Sequence, residues 1–347
     1  MANPLCRLLE LSEQEKVERG LEHTPREIWQ QPETWKTTYQ VCAANQAALG
    51  DVLRRAGIGR GSTSSPAVYL VGAGTSDYTG RALAPLLRSR LGCDVWALPS
   101  TTLLTEFDDF HRAGREYFWI SFSRSGESPE GVALLERALE KRREIRHLVI
   151  TCNPQGPMAK LCAQHPDRAF ALVLDDSVND RGLAMTSSFT NMLLAGQCVG
   201  HLDDFSGFGN IVAQLSECGR KFLPEAAEAA AEITTLGCTR AVFVSFLSSD
   251  ARRRGYEIDL LREMDRKRLG RVRIALTAGD GADVAQLSDY CLSVGPDGLA
   301  DLYRPVLDVM LGQLLGLFAS MRCGLKPDQP SPTGTITRVV QPIAIYS

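Results

Sequence analysis

The 347-residue chain lacks the features that mark several large classes of protein. No uncharged apolar run reaches the roughly 18 residues that a membrane-spanning helix needs. The first residues, MANPLCRLLELSEQEK, do not show the basic stretch and apolar core of a secretory signal. Its ten cysteines include no CxxC pair, which argues against a zinc cage or a disulfide framework. We therefore expect a cytoplasmic protein with no membrane partner and no metal.

A surplus of charge of one sign is also missing. The 38 Lys and Arg residues are balanced by 41 Asp and Glu residues, for a formal charge of −3. Such a chain has no net attraction to nucleic acid or to acidic membranes. Two basic runs, 141–143 and 252–254, have no interleaved aromatic residues and are interpreted as solvated surfaces. Nucleic acid is not an expected partner.

Short apolar runs typical of buried parallel strands alternate with helical stretches from residue 67 onward. This alternation predicts an α/β fold with doubly wound parallel sheets of the flavodoxin-like or Rossmann-like three-layer type. The strands are expected at 67–71, 94–98, 117–122, 147–152, 169–174, 241–246, 271–277 and 290–294. Helices are expected at 77–91, 129–141, 156–163, 184–199, 256–266, 282–288 and 300–321.

An internal repeat indicates two copies of one α/β unit. ITCNPQGPMAKLC (150–162) aligns without gaps on LTAGDGADVAQLS (276–288), and WISFSRSGESPEGV (119–132) aligns on FVSFLSSDARRRGY (243–256). The front of the second copy, with its first strand, glycine loop and helix, is missing. We therefore expect the second unit to have an unpaired sheet edge and an uncovered apolar face.

Five parts follow from this pattern. They are an N-terminal helical segment (1–50), a first α/β unit (51–205), a helical linker (206–237), a truncated second unit (238–325) and a C-terminal tail (326–347).

Two loops of the first unit lie at the carboxyl ends of predicted strands, where parallel sheets bind ligands. Gly72–Ser76 follow the first strand and Ser121–Ser128 follow the third. Helix N-termini and small hydroxyls can hold a phosphate without many cations, and glycine lets the main chain approach it closely. Either loop alone is typical of ordinary turn and capping chemistry. Four serines in eight residues beside a second such loop favour a phosphate cradle.

Other loop chemistries do not fit these residues. A dinucleotide fingerprint needs G-x-G-x-x-G, but Asp77 stands where the third glycine belongs. No GxxxxGK[ST] stretch is present, and SRSGE lacks the leading glycine of a nucleophile elbow. A third polar cluster, 180–188, opens the helix at 184–199. It is either a capped helix or the far wall of the phosphate pocket, and both interpretations stay open.

At these residues the chain resembles the sugar isomerase (SIS) domain family. It is most similar to the branch of tagatose-6-phosphate ketose/aldose isomerases and galactosamine-6-phosphate deaminases. The similar stretches are LVGAGTS (70–76), ISFSRSGESPE (120–130), ITCN (150–153), DRGLAMTSS (180–188), YEIDLLREM (256–264) and PSPTGTITRVVQ (330–341). The resemblance covers most of the chain from Trp35 onward. It implies two SIS units per chain, assembled into homodimers or larger oligomers.

The same resemblance implies a sugar phosphate as the ligand, with no metal and no organic cofactor. The residues expected to hold its phosphate are Ser76, Ser123, Arg124, Ser125 and Ser128. A weaker set of pocket residues consists of Gly74, Thr75, Asp180, Thr186, Ser187, Thr335 and Arg338. The last two lie in the tail, where the family closes its pocket, and Pro342 stands where relatives commonly have glycine.

The implied activity belongs to amino-sugar catabolism. It is either aldose–ketose isomerisation through an enediol or hydrolytic loss of the 2-amino group as ammonia. Both need a group that moves protons at C1 and C2. Glu127 and Glu130 lie beside the predicted cradle. Either could be proposed as the base. We favour Glu127 as an acid of the first helical turn and Glu130 as part of a solvated face, because a base must reach C1 and C2 and not the phosphate.

The missing front of the second copy bears on catalysis. Family members carry a glutamate-bearing helix segment and an Arg-His-Gly-Pro-Lys loop there. All five histidines of this chain lie before residue 202, so none belongs to the second unit. The alternative to an enzyme is a non-catalytic phosphosugar-binding regulator. If the gap is biological, we expect phosphosugar binding without turnover.

Overall fold

The computed structural model describes residues 3–59, 65–236, 242–339 and 344–345. Five helices precede the first strand, which agrees with the helical character expected of residues 1–50. One of them begins at Thr24, with Pro25 in the first turn, where its missing N–H costs no hydrogen bond. The five are α1 (Pro4–Leu9), α2 (Glu13–Arg19), α3 (Thr24–Trp29), α4 (Gln31–Ala44) and α5 (Gln46–Arg55).

The chain divides into two compact units, each built around its own parallel sheet. The five-stranded unit contains Glu33–Asp180, Ala184–Val212 and Thr335–Ser347. The three-stranded unit contains Met1–Pro32, Arg181–Leu183 and Ala213–Gly334. The domain boundaries expected from the sequence stay a prediction.

The five-stranded unit contains a wholly parallel sheet in the order β2-β1-β3-β4-β5. Its strands are β1 (Ala67–Gly72), β2 (Asp94–Pro99), β3 (Tyr117–Ser123), β4 (Ile145–Thr151) and β5 (Ala169–Val173). All residues of β1 and β3 are buried, as expected for inner strands covered on both faces. Val71 pairs with Ser121, and Ser123 pairs with Thr151. The carboxyl ends of three neighbouring strands therefore lie along one edge.

Helices cover this sheet. They are α6 (Thr75–Leu91), α7 (Ser100–Thr105), α8 (Pro129–Lys141), α9 (Pro157–Gln164) and α10 (Ser187–Val199). Tyr69, Trp119 and Leu134 belong to one apolar cluster of the core, and Val149 and Met158 belong to another. The sequence pattern did not predict α7.

The three-stranded unit contains a shorter parallel sheet in the order β6-β7-β8. Its strands are β6 (Val242–Phe246), β7 (Val272–Ala278) and β8 (Tyr290–Gly295). The remaining helices are α11 (Phe205–Thr235), α12 (Ala251–Arg266) and α13 (Pro305–Arg322). Two parallel α/β sheets, the second of them shorter, confirm the predicted fold class.

One predicted helix is wrong. Residues 282–288 form consecutive turns, with short-range bonds such as that from the Val284 N–H to the Gly281 carbonyl at 3.0 Å. The segment is too short to hold a helix by itself. It also follows two glycines with positive φ, Gly279 at +78° and Gly281 at +65°, which favour turns.

The outer side of β6 is a sheet edge in the part of the chain that the structure describes. Phe243 and Phe246 on this strand are 41% and 52% exposed. Tyr256 and Leu260, one turn apart on α12, are also exposed. This unit therefore exposes apolar side chains on both β6 and α12, and the expectation of one uncovered apolar face stays a prediction.

No described helix combines the length and the hydropathy that crossing a membrane would require.

Candidate functional site

The loop after β1 is a tight turn that requires glycine at its start. A Cβ on Gly72 would lie 2.4 Å from the Ser76 carbonyl carbon and 2.6 Å from the Asp77 nitrogen, closer than atoms can approach. Gly74 has φ +56°, a conformation that favours glycine. This turn leads directly into α6 and buries Ser76, whose hydroxyl lies 4.0 Å from the Met185 sulfur.

The serine loop after β3 holds two hydroxyls in a defined orientation. The Ser123 Oγ accepts the Gly126 N–H at 3.1 Å, and the Ser125 Oγ accepts the Glu127 N–H at 3.2 Å. Because each oxygen accepts a backbone N–H, the hydroxyl proton remains to be donated to a ligand oxygen. Gly126, with φ +65°, allows the turn. Ser128 is the N-cap residue of α8 but makes no side-chain cap bond there.

Residues that follow β4 fix the serine loop through hydrogen bonds and close packing. The Arg124 carbonyl accepts the Cys152 N–H at 3.1 Å, and the Asn153 amide donates to the Ser125 carbonyl at 2.9 Å. Gly156 packs so closely that a Cβ there would lie 2.7 Å from the Ser125 carbonyl oxygen. The loop is therefore fixed before any ligand arrives, which lowers the entropy cost of binding.

The two loops share a cavity of about 160 Å³. By the share of liquid volume that each water occupies, it has room for roughly five water molecules. All five residues of the stronger predicted set line this cavity, together with Gly74 and Arg338 of the weaker set. Met185 and Val339 also line it. Neither was singled out from the sequence, although Met185 lies within the 180–188 cluster.

Two arginines give the cavity positive charge. Arg124 is 6% exposed and donates to the Arg338 carbonyl at 3.0 Å. Arg338 donates through Nε to the Asp180 carbonyl at 2.7 Å and through a terminal nitrogen to the Asn179 side-chain oxygen at 2.6 Å. Each of these acceptors is a neutral amide group, so the bonds named here orient the two guanidinium groups without forming an ion pair.

Most of the weaker set lies outside this cavity. The Asp180 carboxylate accepts the backbone N–H groups of Thr186, Ser187 and Ser188 at 2.8 to 3.0 Å, at the start of α10. Burial raises the pKa of Asp180, and the hydrogen bonds from Ser188 and Thr186 oppose that shift. These residues form the capped helix that was one of the two open interpretations. Thr75 and Thr335 do not line the cavity either, and Thr335 is exposed.

The two glutamates of the loop have different surroundings. Glu127 is exposed and accepts a hydrogen bond from the Asn153 amide at 3.3 Å. Glu130 is 5% exposed and lines the cavity, so its assignment to a solvated face is wrong. The reason is that α8 begins at Pro129, which places Glu130 in the first turn, at the helix end that meets the cavity.

In the three-stranded unit, the counterpart of the serine loop already has its hydrogen-bond donors occupied. The Ser249 N–H and hydroxyl donate to the Asp301 carboxylate at 2.9 and 3.0 Å, and the Ser248 hydroxyl donates to the same carboxylate. An internal carboxylate therefore takes the donors that a phosphate would use. A cavity of about 710 Å³ in this unit lies elsewhere, against α11 and the carboxyl ends of β7 and β8.

The five-stranded unit combines a parallel sheet with a serine-rich loop at the carboxyl end of one of its inner strands. The model of the SIS domain family matches residues 63–202, a range that includes both loops. The class of protein is thus the SIS-domain proteins.

Curated relatives and solved structures match nearly the whole chain. A Streptomyces coelicolor protein is 32% identical, covering 95% of this chain and 97% of its own, and an Escherichia coli protein is 30% identical, covering 93% and 95%. Both carry the name D-galactosamine-6-phosphate deaminase AgaS, the first provisionally. A crystal structure of tagatose-6-phosphate ketose/aldose isomerase from E. coli superposes with a TM-score of 0.78 at 25% identity, covering 93% of this chain and 96% of its own.

The chain therefore belongs to the SIS-domain family, in the branch that contains these deaminases and isomerases, as the sequence resemblance predicts. It is a member of an enzyme family of phosphosugar isomerases and deaminases. The two curated alignments extend over 383 and 375 residues, more than the 347 residues of this chain. These relatives therefore contain residues with no counterpart here, which fits the missing front of the second copy.

Proposed function

We propose that this protein converts D-galactosamine 6-phosphate to tagatose 6-phosphate with release of ammonia. The observation that carries the proposal is the cavity lined by Ser76, Ser123, Ser125 and Ser128 together with Arg124 and Arg338. The names of the curated relatives supply the substrate. Their enzymatic names do not favour the non-catalytic regulator.

The residues of the cavity would act first by holding the phosphate. Serine hydroxyls donate to its oxygens, and the first turns of α6 and α8 direct their positive dipole ends to the same region. This binding energy positions the reacting carbons, which is a large part of the catalysis of proton transfer.

The reaction itself is acid–base chemistry. After ring opening, a proton moves from C2 to C1, and the C2–N bond becomes an imine. Water adds to C2 and ammonia leaves, which gives the ketose. Proton transfer by a positioned side chain contributes about 10² to 10⁴ in rate. No step consumes an oxidant or a reductant.

Isomerisation of an aldose 6-phosphate to a ketose 6-phosphate is the second candidate reaction. It is supported by the name of the E. coli structure, a tagatose-6-phosphate ketose/aldose isomerase. The two reactions share the proton transfer between C1 and C2. They differ in whether the substrate carries nitrogen, so ammonia distinguishes them.

We also propose that the protein is a homo-oligomer. The support is the edge strand β6, whose sequence VFVSF has no charge and no proline to prevent pairing. The proposed small-molecule partner is a sugar phosphate, and no nucleic acid partner is proposed.

Calorimetric titration tests the phosphate cradle. We expect the C1-reduced alditol of galactosamine 6-phosphate, which cannot react, to bind, and the same alditol without its phosphate to give no measurable heat at the same concentrations. Ser125→Ala should weaken binding about tenfold, since a hydrogen bond to a charged group contributes roughly 1.5 to 3 kcal/mol. Ser206→Ala, at an exposed helical serine, is the matched control and should bind like the wild type. Equal binding of both alditols, or an unchanged affinity in Ser125→Ala, would contradict the cradle.

A further inference from the structure

One carboxylate lines the otherwise anion-binding cavity. Among the described lining residues, Glu130 is the only acid, and 95% of its surface is buried. Its carboxylate makes no hydrogen bond and no ion pair with any residue that the structure describes. It sits two residues after Ser128, which lines the same cavity.

Three other buried acids of the described chain have hydrogen-bond or ion-pair partners. Asp180 accepts three backbone N–H groups, Asp77 pairs with Arg81 at 2.7 Å, and Glu27 accepts the Gly182 N–H at 3.3 Å. Glu130 differs from them because its carboxylate belongs to a residue that lines a cavity and has no partner among the described residues. Such a carboxylate is open to a bound cation or to a hydrogen-bond donor of a ligand.

The charges around the cavity therefore fit a ligand that carries both a negatively and a positively charged group. Serine hydroxyls, Arg124 and Arg338 suit an anion, whereas Glu130 suits a cation. Resting on the proposed function, we propose that Glu130 binds the ammonium group of an amino sugar phosphate and so selects it over the neutral sugar phosphate. An ammonium gains an ion pair with Glu130. A neutral sugar phosphate leaves that carboxylate unpaired near its own negative phosphate, which lowers its affinity.

Two ligands that cannot react provide the test. They are the C1-reduced alditols of galactosamine 6-phosphate and galactose 6-phosphate, which have no carbonyl and differ only in the ammonium group. Titration of the full chain gives the ratio of their dissociation constants at pH 7. We expect the wild type to prefer the amino form at least tenfold, and Glu130→Gln to reduce that preference to less than about threefold.

The neutral alditol phosphate adds a second signature. Glu130→Gln should bind it as tightly as the wild type or more tightly, because the repulsion has been removed. Glu127→Gln, three residues earlier in the same loop but exposed, is the matched control and should keep the wild-type preference. Glu130→Asp keeps the charge on a shorter side chain and should retain part of the preference for the amino ligand. This variant keeps the test valid if Glu130→Gln fails to fold.

The outcomes separate this proposal from the cradle itself. If wild type binds both ligands equally, or if Glu130→Gln keeps the tenfold preference, the role of Glu130 is overturned and the phosphate cradle stands. If wild type binds neither ligand, the proposed phosphate site is overturned and the role of Glu130 falls with it.

Discussion

Gly72 is the residue at which the backbone of the site tolerates least change. A side chain there would collide with the main chain of Ser76, which is not free to move because it starts α6. Gly72→Ala should therefore lower the free energy of unfolding by about 2 kcal/mol or more, the range of a severe local clash. It should also weaken sugar phosphate binding. Urea denaturation and titration check both effects.

Gly50 provides the matched control for this prediction. It lies within α5, and a Cβ there would meet no atom within 4 Å. Gly50→Ala should raise stability by up to about 1 kcal/mol, the usual difference between the two residues within a helix. Equal effects of the two substitutions would contradict the tight turn.

Residue types alone did not indicate the positions of all site residues. The five stronger residues could be predicted because hydroxyls and glycines follow two neighbouring parallel strands. Glu130 could not, because the start of α8, predicted correctly at Pro129, does not by itself show whether the side chain of the next residue faces water or the cavity. Asp180 could not be assigned because helix capping and ligand binding use the same carboxylate–N–H chemistry.

At the scale of the element, β4 carries a buried histidine. His147 is fully buried against Trp119, and burial, with Arg168 and Arg146 nearby, lowers the pKa of its imidazole to about 3. The ordinary value in an unfolded chain is about 6.5. As the pH falls below that value, the unfolded state gains a proton that the folded state does not bind. Stability should therefore fall as the pH is lowered from about 6.5 toward 3.

His147→Leu should remove this contribution. Linkage gives about 2 kcal/mol lost between pH 7 and pH 5 from this one residue. Urea denaturation at both pH values should show that loss in the wild type and a correspondingly smaller one in His147→Leu. An equal loss in both proteins would contradict the neutral buried imidazole.

The strands were the most predictable elements, because uninterrupted apolar runs are needed wherever both sheet faces are covered. Short helices were the least predictable. The segment 282–288 has helical spacing but forms turns, whereas Ser100–Thr105 forms α7 despite threonines that favour other structures. In both cases interactions with neighbouring parts of the protein outweigh the intrinsic helix propensity of a segment of only six or seven residues.

On the scale of the whole molecule, the three-stranded sheet ends at β6 in the part of the chain that the structure describes. This edge strand exposes Phe243 and Phe246 and carries none of the charges or prolines that usually protect edges. Two copies of one such strand can pair around a two-fold axis and cover both edges at once. We expect the protein to associate in a concentration-dependent way.

Sedimentation velocity across a hundredfold range of concentration checks this expectation. Phe246→Lys should reduce the association by placing a charge on the edge. Trp96→Lys is the matched control, since Trp96 is a similarly exposed aromatic residue (57%) on β2, an edge strand of the other sheet. A monomer at every concentration, or equal association of both variants, would count against pairing through β6.

The most direct measurement is ammonia release from galactosamine 6-phosphate by purified protein whose intact mass matches this 347-residue chain. We predict release that depends on enzyme concentration and is lost in the Ser123→Ala/Ser125→Ala double variant. A folded wild-type sample that binds the sugar phosphate but releases no ammonia would contradict the deaminase and leave binding as its activity.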